Sequence, residues 1–251
     1  MNVKEKAKSG VMVCGTMIRT IRNPSVVCLA KNAGLDFVMF DCEHGAYTTE
    51  TLHDLCMTAL ALDLECFARV PTGTRDYISR FLDCGISGIM TPMTETAQQA
   101  ENLVRYAKYA PMGNRGFTAA ANTGYRGGKH SVVMAEANAR VWAIAQIETR
   151  PGVENCEEIA ATEGIDALLI GPNDLSIELG VPGDLDNPIE IEAIKKVAAA
   201  CKKHGKLFTV HAKPEYQDKF RGDLSFIMQM GEAEILTEGF KKIKTFADNY
   251  R

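Results

Sequence analysis

No apolar run in this chain of 251 residues is long enough to span a bilayer, which takes about 18 residues or more. The opening stretch, MNVKEKAKSG, is charged and lacks the apolar segment of a secretory signal. Positive charge is not in excess: a net charge of −4 and a pI near 5.8 leave no electrostatic footprint for nucleic acid or an anionic membrane, and neither is expected as a partner. C-x-x-C pairs are absent. The eight cysteines, at 14, 28, 42, 56, 66, 84, 156 and 201, also lack zinc-type spacing to histidine. Without export features they read as buried, reduced thiols, and a cytoplasmic location is expected. No linker-like stretch divides the chain, so one domain over residues 1–251 is expected.

What is present is an alternation. Short apolar segments recur at 11–17 (VMVCGTM), 37–43 (FVMFDCE), 65–70 (ECFARV), 88–93 (GIMTPM), 141–148 (VWAIAQIE), 167–172 (ALLIGP), 207–212 (LFTVHA) and 225–230 (SFIMQM). Near-continuous apolar runs of this length suit strands buried on both faces, as in a parallel sheet. Helical patterns lie between them, at 24–33, 49–61, 74–83, 94–106, 151–161, 188–204, 214–221 and 232–250. Proline near the start of several and glycine just past the ends of others punctuate them as helices require. Eight strand–helix units in about 250 residues predict an α/β fold, a (β/α)8 TIM barrel. A doubly wound sheet would usually carry a glycine-rich phosphate turn after its first strand, and CGTMIRT there supplies none. The longest irregular stretch, 108–131, is expected to belong to the site, as long loops on compact barrels often do.

Barrel chemistry sits where strands end. Those ends carry Asp41, Glu43 and His44 after the second strand and Arg69 after the third. They carry Gln146 and Glu148 after the fifth, and Gly171-Pro172-Asn173-Asp174 after the sixth. Glu148 and Asp174 end consecutive strands, so their carboxylates can converge, and two carboxylates with open positions suit a hard divalent cation such as Mg2+ or Mn2+. The opposing reading pairs Glu148 with Arg150 and makes Asp174 a helix cap. Arg69, inside an apolar strand, needs an anionic partner. That partner is either Asp41 or Glu43 in a structural ion pair, or a substrate carboxylate or enolate oxygen. His44, in D-C-E-H-G, is a candidate general base.

In this order and spacing, F-D-C-E-H-G, A-R-V-P, L-D-C-G, Q-I-E-T-R and I-G-P-N-D-L-S resemble the HpcH/HpaI aldolase family over roughly residues 15–179. The resemblance implies a TIM barrel of the phosphoenolpyruvate/pyruvate type. It also implies a class II aldolase that cleaves or forms a 4-hydroxy-2-oxo acid from pyruvate, or a related 2-oxo acid, and an aldehyde. Glu148 and Asp174 match the ligands of the divalent metal (Mg2+ or Mn2+, with Co2+ as a further option). Arg69 matches the arginine on the 2-oxo acid and its enolate, His44 the base, and Asp83 the carboxylate paired with that base. Gln146 and the backbone around Gly171, Pro172 and Asn173 would help to hold the substrate. A homohexamer is implied, with the last helix packing on a neighbour; the apolar residues of 232–250 give that helix a face to bury. His211, Lys213 and Glu232 depart from the family pattern, and the resemblance assigns them no role.

Three rival functions remain at the level of sequence. A Schiff-base aldolase would have only Lys213 for its imine. A citrate-lyase-type CoA-thioester lyase would need a basic surface, for which Arg115, Arg126 and Lys129 are the candidates. A non-catalytic 2-oxo-acid-binding barrel would have little use for the intact set His44, Arg69, Glu148 and Asp174.

Overall fold

The computed structural model of the protein describes residues 1–250. The eight apolar segments become eight parallel strands: β1 (Cys14–Ile18), β2 (Phe37–Asp41), β3 (Glu65–Arg69), β4 (Gly88–Thr91), β5 (Trp142–Ile147), β6 (Ala167–Ile170), β7 (Leu207–Val210) and β8 (Ile227–Gly231). They pair in the order β7-β6-β5-β4-β3-β2-β1-β8, and a parallel bridge from Ala212 to Gln229 brings β7 back to β8. Thr209, whose hydroxyl donates to the Phe226 carbonyl (2.7 Å), reinforces that closure. The result is the (β/α)8 barrel.

The helices are α1 (Val3–Lys8), α2 (Ser25–Asn32), α3 (Thr49–Ala61), α4 (Arg75–Asp83), α5 (Ala97–Ala107), α6 (His130–Arg140), α7 (Arg150–Glu154), α8 (Cys156–Ala161), α9 (Pro172–Glu178), α10 (Pro188–His204), α11 (Pro214–Gln217) and α12 (Glu232–Asp248). Several differ from the sequence pattern. The helix expected over 151–161 is broken at Asn155 into α7 and α8. The one expected over 214–221 shrinks to a single turn followed by a 3-10 turn at Asp218–Phe220. None of the helices is long and apolar enough to cross a membrane. All eight cysteines are free, six of them buried.

Side chains alternate across each strand, and this sorts the core into two parts. Phe37 and Met39, Phe67, Met90, Trp142 and Ile144, Leu169, Leu207, and Phe226 and Met228 form an inner cluster that fills the barrel. The alternate residues, among them Val38, Phe40, Ala68, Ile89 and Leu168, pack outward against the helices. Near the strand starts the Phe37 and Phe67 rings stack at 4.8 Å, and Trp142 joins Phe67 at 5.3 Å. Gly88 makes room for this, since a Cβ there would lie 2.5 Å from the Phe67 ring.

The first helix, α1, plugs the base of the barrel. Its Val3 and Ala7 join the inner cluster, and its buried Lys4 donates to the Val141 carbonyl (2.8 Å) and pairs with Asp166 (2.7 Å). A capping box between Asn2 and Glu5 starts it.

Helices of a βα repeat run back along the barrel, so each ends at the face where strands begin. The 108–131 stretch leaves α5 at that base and leads into α6. Near the base Arg115 stacks over Tyr109 (4.7 Å), whereas Tyr125 meets His53 in the first half of α3 (2.8 Å).

Candidate active site

Continuing the inward alternation past the inner cluster gives one polar layer at the mouth: Asp41, Arg69, Glu148, Gly171, His211 and Met230. The pairing registers set them side by side. Asp41 is level with Arg69. Gln146 is level with Leu169 and Leu169 with Thr209. One inward step further along β5, β6 and β7 places Glu148, Gly171 and His211 together. Backbone bonds from Gly171 N to Ile147 O (3.3 Å) and from His211 N to Ile170 O (3.0 Å) carry the ladder up to this level.

Arg69 is held on two sides. Its Nε and Nη2 donate to the two oxygens of Asp41 (3.0 and 2.8 Å), and Nη1 lies 3.2 Å from Glu43. The structural ion pair therefore forms, and with both acids. Burial alone would raise the Asp41 carboxyl; the bonds and charge of Arg69 outweigh it and hold Asp41 below the usual range. A guanidinium has five N–H donors; Asp41 takes two of them, while the Glu43 approach is a contact between charges without a hydrogen bond. Asp41 also accepts from the amides of Glu43 and His44 (3.2 Å each), which shapes the turn presenting His44.

Glu148 is 2% exposed. It does not pair with Arg150, whose guanidinium instead reaches the Leu179 carbonyl (3.5 Å). Its Oε1 accepts from the Met93 amide (2.9 Å), and its Oε2 from the Gln146 side chain. Met93 adopts a left-handed backbone (φ 49°) to deliver that amide, a strain of the kind that accumulates at functional sites. Burial pushes the Glu148 carboxyl up to about 7; the Met93 bond and Arg69 oppose this, and the charges of Asp174 and Glu43 add to it. Glu148 thus feels the charges of Asp174, Glu43 and Arg69. Asp174 is exposed, in the first turn of α9, and the N-cap position belongs to Gly171, not to Asp174. Pro172 is buried and Asn173 exposed.

Among the described residues no three His, Cys, Asp or Glu side chains form a ready-made metal cage, so any cation would rely on the carboxylate pair and on oxygens from water and ligand. The cradle fits that use. A Cβ on Gly171 would lie 2.3 Å from Glu148 Oε2 and 2.7 Å from the Gln146 amide nitrogen, so only glycine leaves the carboxylate open on this side. The neighbouring Gln146 Oε1 is buried without a partner.

His44 is exposed, and its acidic neighbour is Glu43 at 3.9 Å. The pairing with Asp83 does not form within the chain. Asp83 ends α4, a nine-residue helix about 13 Å long, so it lies toward the base of the barrel while His44 lies at the mouth. There Asp83 accepts from Arg115 (2.7 Å). Helix polarity in the βα repeat was the sequence feature that could have shown this.

Of the three departures from the family pattern, Glu232 is structural. Its carboxylate accepts from the amides of Arg19 (3.0 Å), Thr20 and Ile21 (3.2 Å), fixing the turn after β1. Lys213 is exposed at the start of α11. His211 stands in the polar layer itself, which contains no lysine.

The comparisons agree with this fold. Residues 19–236 match the model of the family described as HpcH/HpaI aldolase/citrate lyase. A 5-keto-4-deoxy-D-glucarate aldolase of Klebsiella pneumoniae subsp. pneumoniae is 35% identical over 74% of this chain and 72% of its own. A 2-keto-3-deoxy-L-rhamnonate aldolase of the same organism is 33% identical over 70% of this chain and 68% of its own. The crystal structure of an HpcH/HpaI aldolase from Desulfitobacterium hafniense superimposes with a TM-score of 0.92 at 31% identity, covering 98% of this chain and 96% of that one. The chain belongs to the HpcH/HpaI aldolase/citrate lyase family.

Proposed function

We propose that this protein is a divalent-metal-dependent aldolase that cleaves or forms a 4-hydroxy-2-oxo acid, from pyruvate or a related 2-oxo acid and an aldehyde. The observation that carries the reading is the buried Glu148 carboxylate, left open by Gly171 and set in one layer with Arg69. Glu148 and Asp174 would hold Mg2+ or Mn2+. A cation bound there supplies Lewis acidity that favours the enolate of the 2-oxo acid. Arg69, in the same layer, adds a fixed positive charge for the enolate oxygen, with N–H donors that Asp41 does not use. Gln146 and the Gly171–Asn173 backbone line the same cradle.

In cleavage His44 takes the proton of the 4-hydroxyl. The C3–C4 bond then breaks, the aldehyde leaves, and the electron pair stays on C3 as the enolate until C3 is protonated. With no lysine in the layer, the chemistry has no imine nucleophile there. The curated relatives above are aldolases, which favours this reading over a CoA-thioester lyase.

The test is exchange of the pyruvate methyl hydrogens with deuterated water. Exchange is expected with Mg2+ or Mn2+, loss of it in EDTA, and recovery when metal is returned in excess. Exchange indifferent to EDTA, or absent with both metals, overturns the reading.

Assembly belongs to the same proposal. Beyond Glu232, α12 buries nothing, and Ile235, Leu236, Phe240, Ile243 and Phe246 are exposed along it. Such a stripe marks an interaction surface. A homo-oligomer, a hexamer by family resemblance, would cover it. A neighbouring copy is also the only source from which an Asp83 carboxylate could reach His44. Light scattering is expected to give six times the 27.4 kDa chain. Serine at Phe240, Ile243 and Phe246 together should reduce that mass; an unchanged mass would remove α12 from the assembly.

A further inference from the structure

His211 is an inward-facing histidine in the same layer as Glu148, with only Gly171 between them. Its Nε2 lies 3.0 Å from the Met230 carbonyl. A carbonyl can only accept, so Nε2 carries the proton, and the neutral ring's Nδ1 is left as a lone-pair acceptor. Among the described residues Nδ1 has no protein partner: the Met230 contact is the one hydrogen bond of the ring, and no acid lies within ion-pair distance of it.

The arrangement is built rather than incidental. Met230, a non-glycine residue, takes a left-handed backbone (φ 53°). Its carbonyl accepts from His211 and lies 3.3 Å from the Thr16 hydroxyl. Strain of this kind persists where surrounding contacts over-determine it. Burial lowers the pKa of His211, and the nearby Arg69 charge lowers it further against the Met230 bond and the acidic Glu234 and Asp41. The ring is thus kept neutral near pH 7.

We propose that His211 determines specificity for the aldehyde half of the substrate, accepting a hydrogen bond through Nδ1 from a hydroxyl group carried by that half. The inference rests on the aldolase reading above. The cradle at Glu148 takes the 2-oxo acid, and Gly171, without a side chain, leaves the space between the two through which the remainder of the ligand reaches His211. An acceptor-only ring favours a hydroxyl over an alkyl group of similar size, because without the hydroxyl Nδ1 is desolvated with nothing to bond.

The experiment compares aldol addition of pyruvate to glycolaldehyde and to propanal, similar in size and differing by the hydroxyl, in the Mn2+-loaded enzyme. Wild type is expected to favour glycolaldehyde in kcat/KM by about tenfold or more, expressed mainly in KM. In His211→Ala the ratio should fall to within about threefold of unity. His211→Phe, which keeps the bulk of the ring without its acceptor, should behave alike, and a cooperative thermal transition in each variant guards against one that fails to fold. A glycolaldehyde preference that survives in both variants overturns the assignment. So does a loss that is equal for the two aldehydes, since His211 would then act only by supporting Met230. Pyruvate exchange in wild type, measured alongside, keeps the two readings apart: its absence defeats the aldolase proposal, whereas exchange with an unaltered preference defeats only the role of His211.

Discussion

Glu148→Gln is expected to lower pyruvate methyl exchange by about a thousandfold or more while making the metal-free protein harder to unfold. The two effects have one origin. The carboxylate is 2% exposed, and burial pushes its pKa up to about 7, so near neutral pH and above the fold carries a charge that would be better solvated in the unfolded chain. Each unit of such a shift is worth about 1.4 kcal/mol, and glutamine removes the penalty. A gain of about 1–3 kcal/mol is expected in urea denaturation at pH 8 in EDTA.

The neutral side chain can be accommodated. Its oxygen keeps the Met93 amide bond, and its nitrogen faces Gln146, whose Oε1 lacks a partner and can turn to accept. Function moves the other way, because an amide is a poor ligand for a hard dication and carries no charge to hold it. A residue kept for structure alone would show the opposite pattern, stability lost and activity per folded molecule retained. Exchange above a tenth of wild type, or a destabilised metal-free fold, would count against Glu148 as a ligand.

The parts of this structure that were legible in the sequence are those set by short-range periodicity. Eight apolar runs gave eight strands because both faces of a barrel strand are buried, and the polar residues that interrupt them at 41, 69, 148 and 211 stand out for that reason. Less legible were elements without a buried stripe. None of the residues of α6 is fully buried, so no strongly apolar stripe marks 130–140. The helix α1 is only six residues long, although its Asn2–Glu5 capping box was readable. Asp83 was placed by resemblance, and chain direction corrects it: a residue ending a helix of the repeat lies at the base. The partner of His211 was beyond reach, because a left-handed methionine leaves no mark in sequence. Likewise Arg69 could be given Asp41, Glu43 or substrate, and only the geometry shows that Asp41 takes two of its donors and Glu43 lies beside it without a hydrogen bond.

At the opposite end of the same strands, Asp166→Asn is expected to destabilise the fold by about 3–5 kcal/mol, the usual cost of breaking a buried ion pair from one side. Asp166 is 6% exposed and faces three ammonium groups: Lys4 at 2.7 Å, Lys8 at 3.3 Å and Lys108 at 3.7 Å. Its Oδ2 also accepts from the Ala143 amide (3.0 Å), tying the start of β5 to that of β6. Asparagine can keep this bond, so the loss reports the charge.

Burial would raise the Asp166 carboxyl, but Lys108 and Lys4 hold it below its usual value. Its stabilising contribution is therefore complete above the unfolded pKa of about 3.9 and is lost as pH falls through the lower folded value. Lys108 runs the other way: burial lowers it to about 7, with Lys4 and Lys8 adding to the effect against Asp166. Between about pH 10 and 7 the folded state takes up that proton less readily than the unfolded chain, so charging Lys108 costs stability as pH falls through this window. By pH 9 it is largely neutral in the fold, and removing the Asp166 charge costs less than at pH 6. Denaturation of wild type and Asp166→Asn at the two pH values measures this directly. Because about 16 Å of strand separates Asp166 from the Gly171 cradle, pyruvate exchange per folded molecule should be unchanged. A destabilisation of the same size at pH 6 and pH 9 would mean that the charge of Lys108 adds nothing to the pairing, and that Lys4 and Lys8 alone are the ionic partners of Asp166.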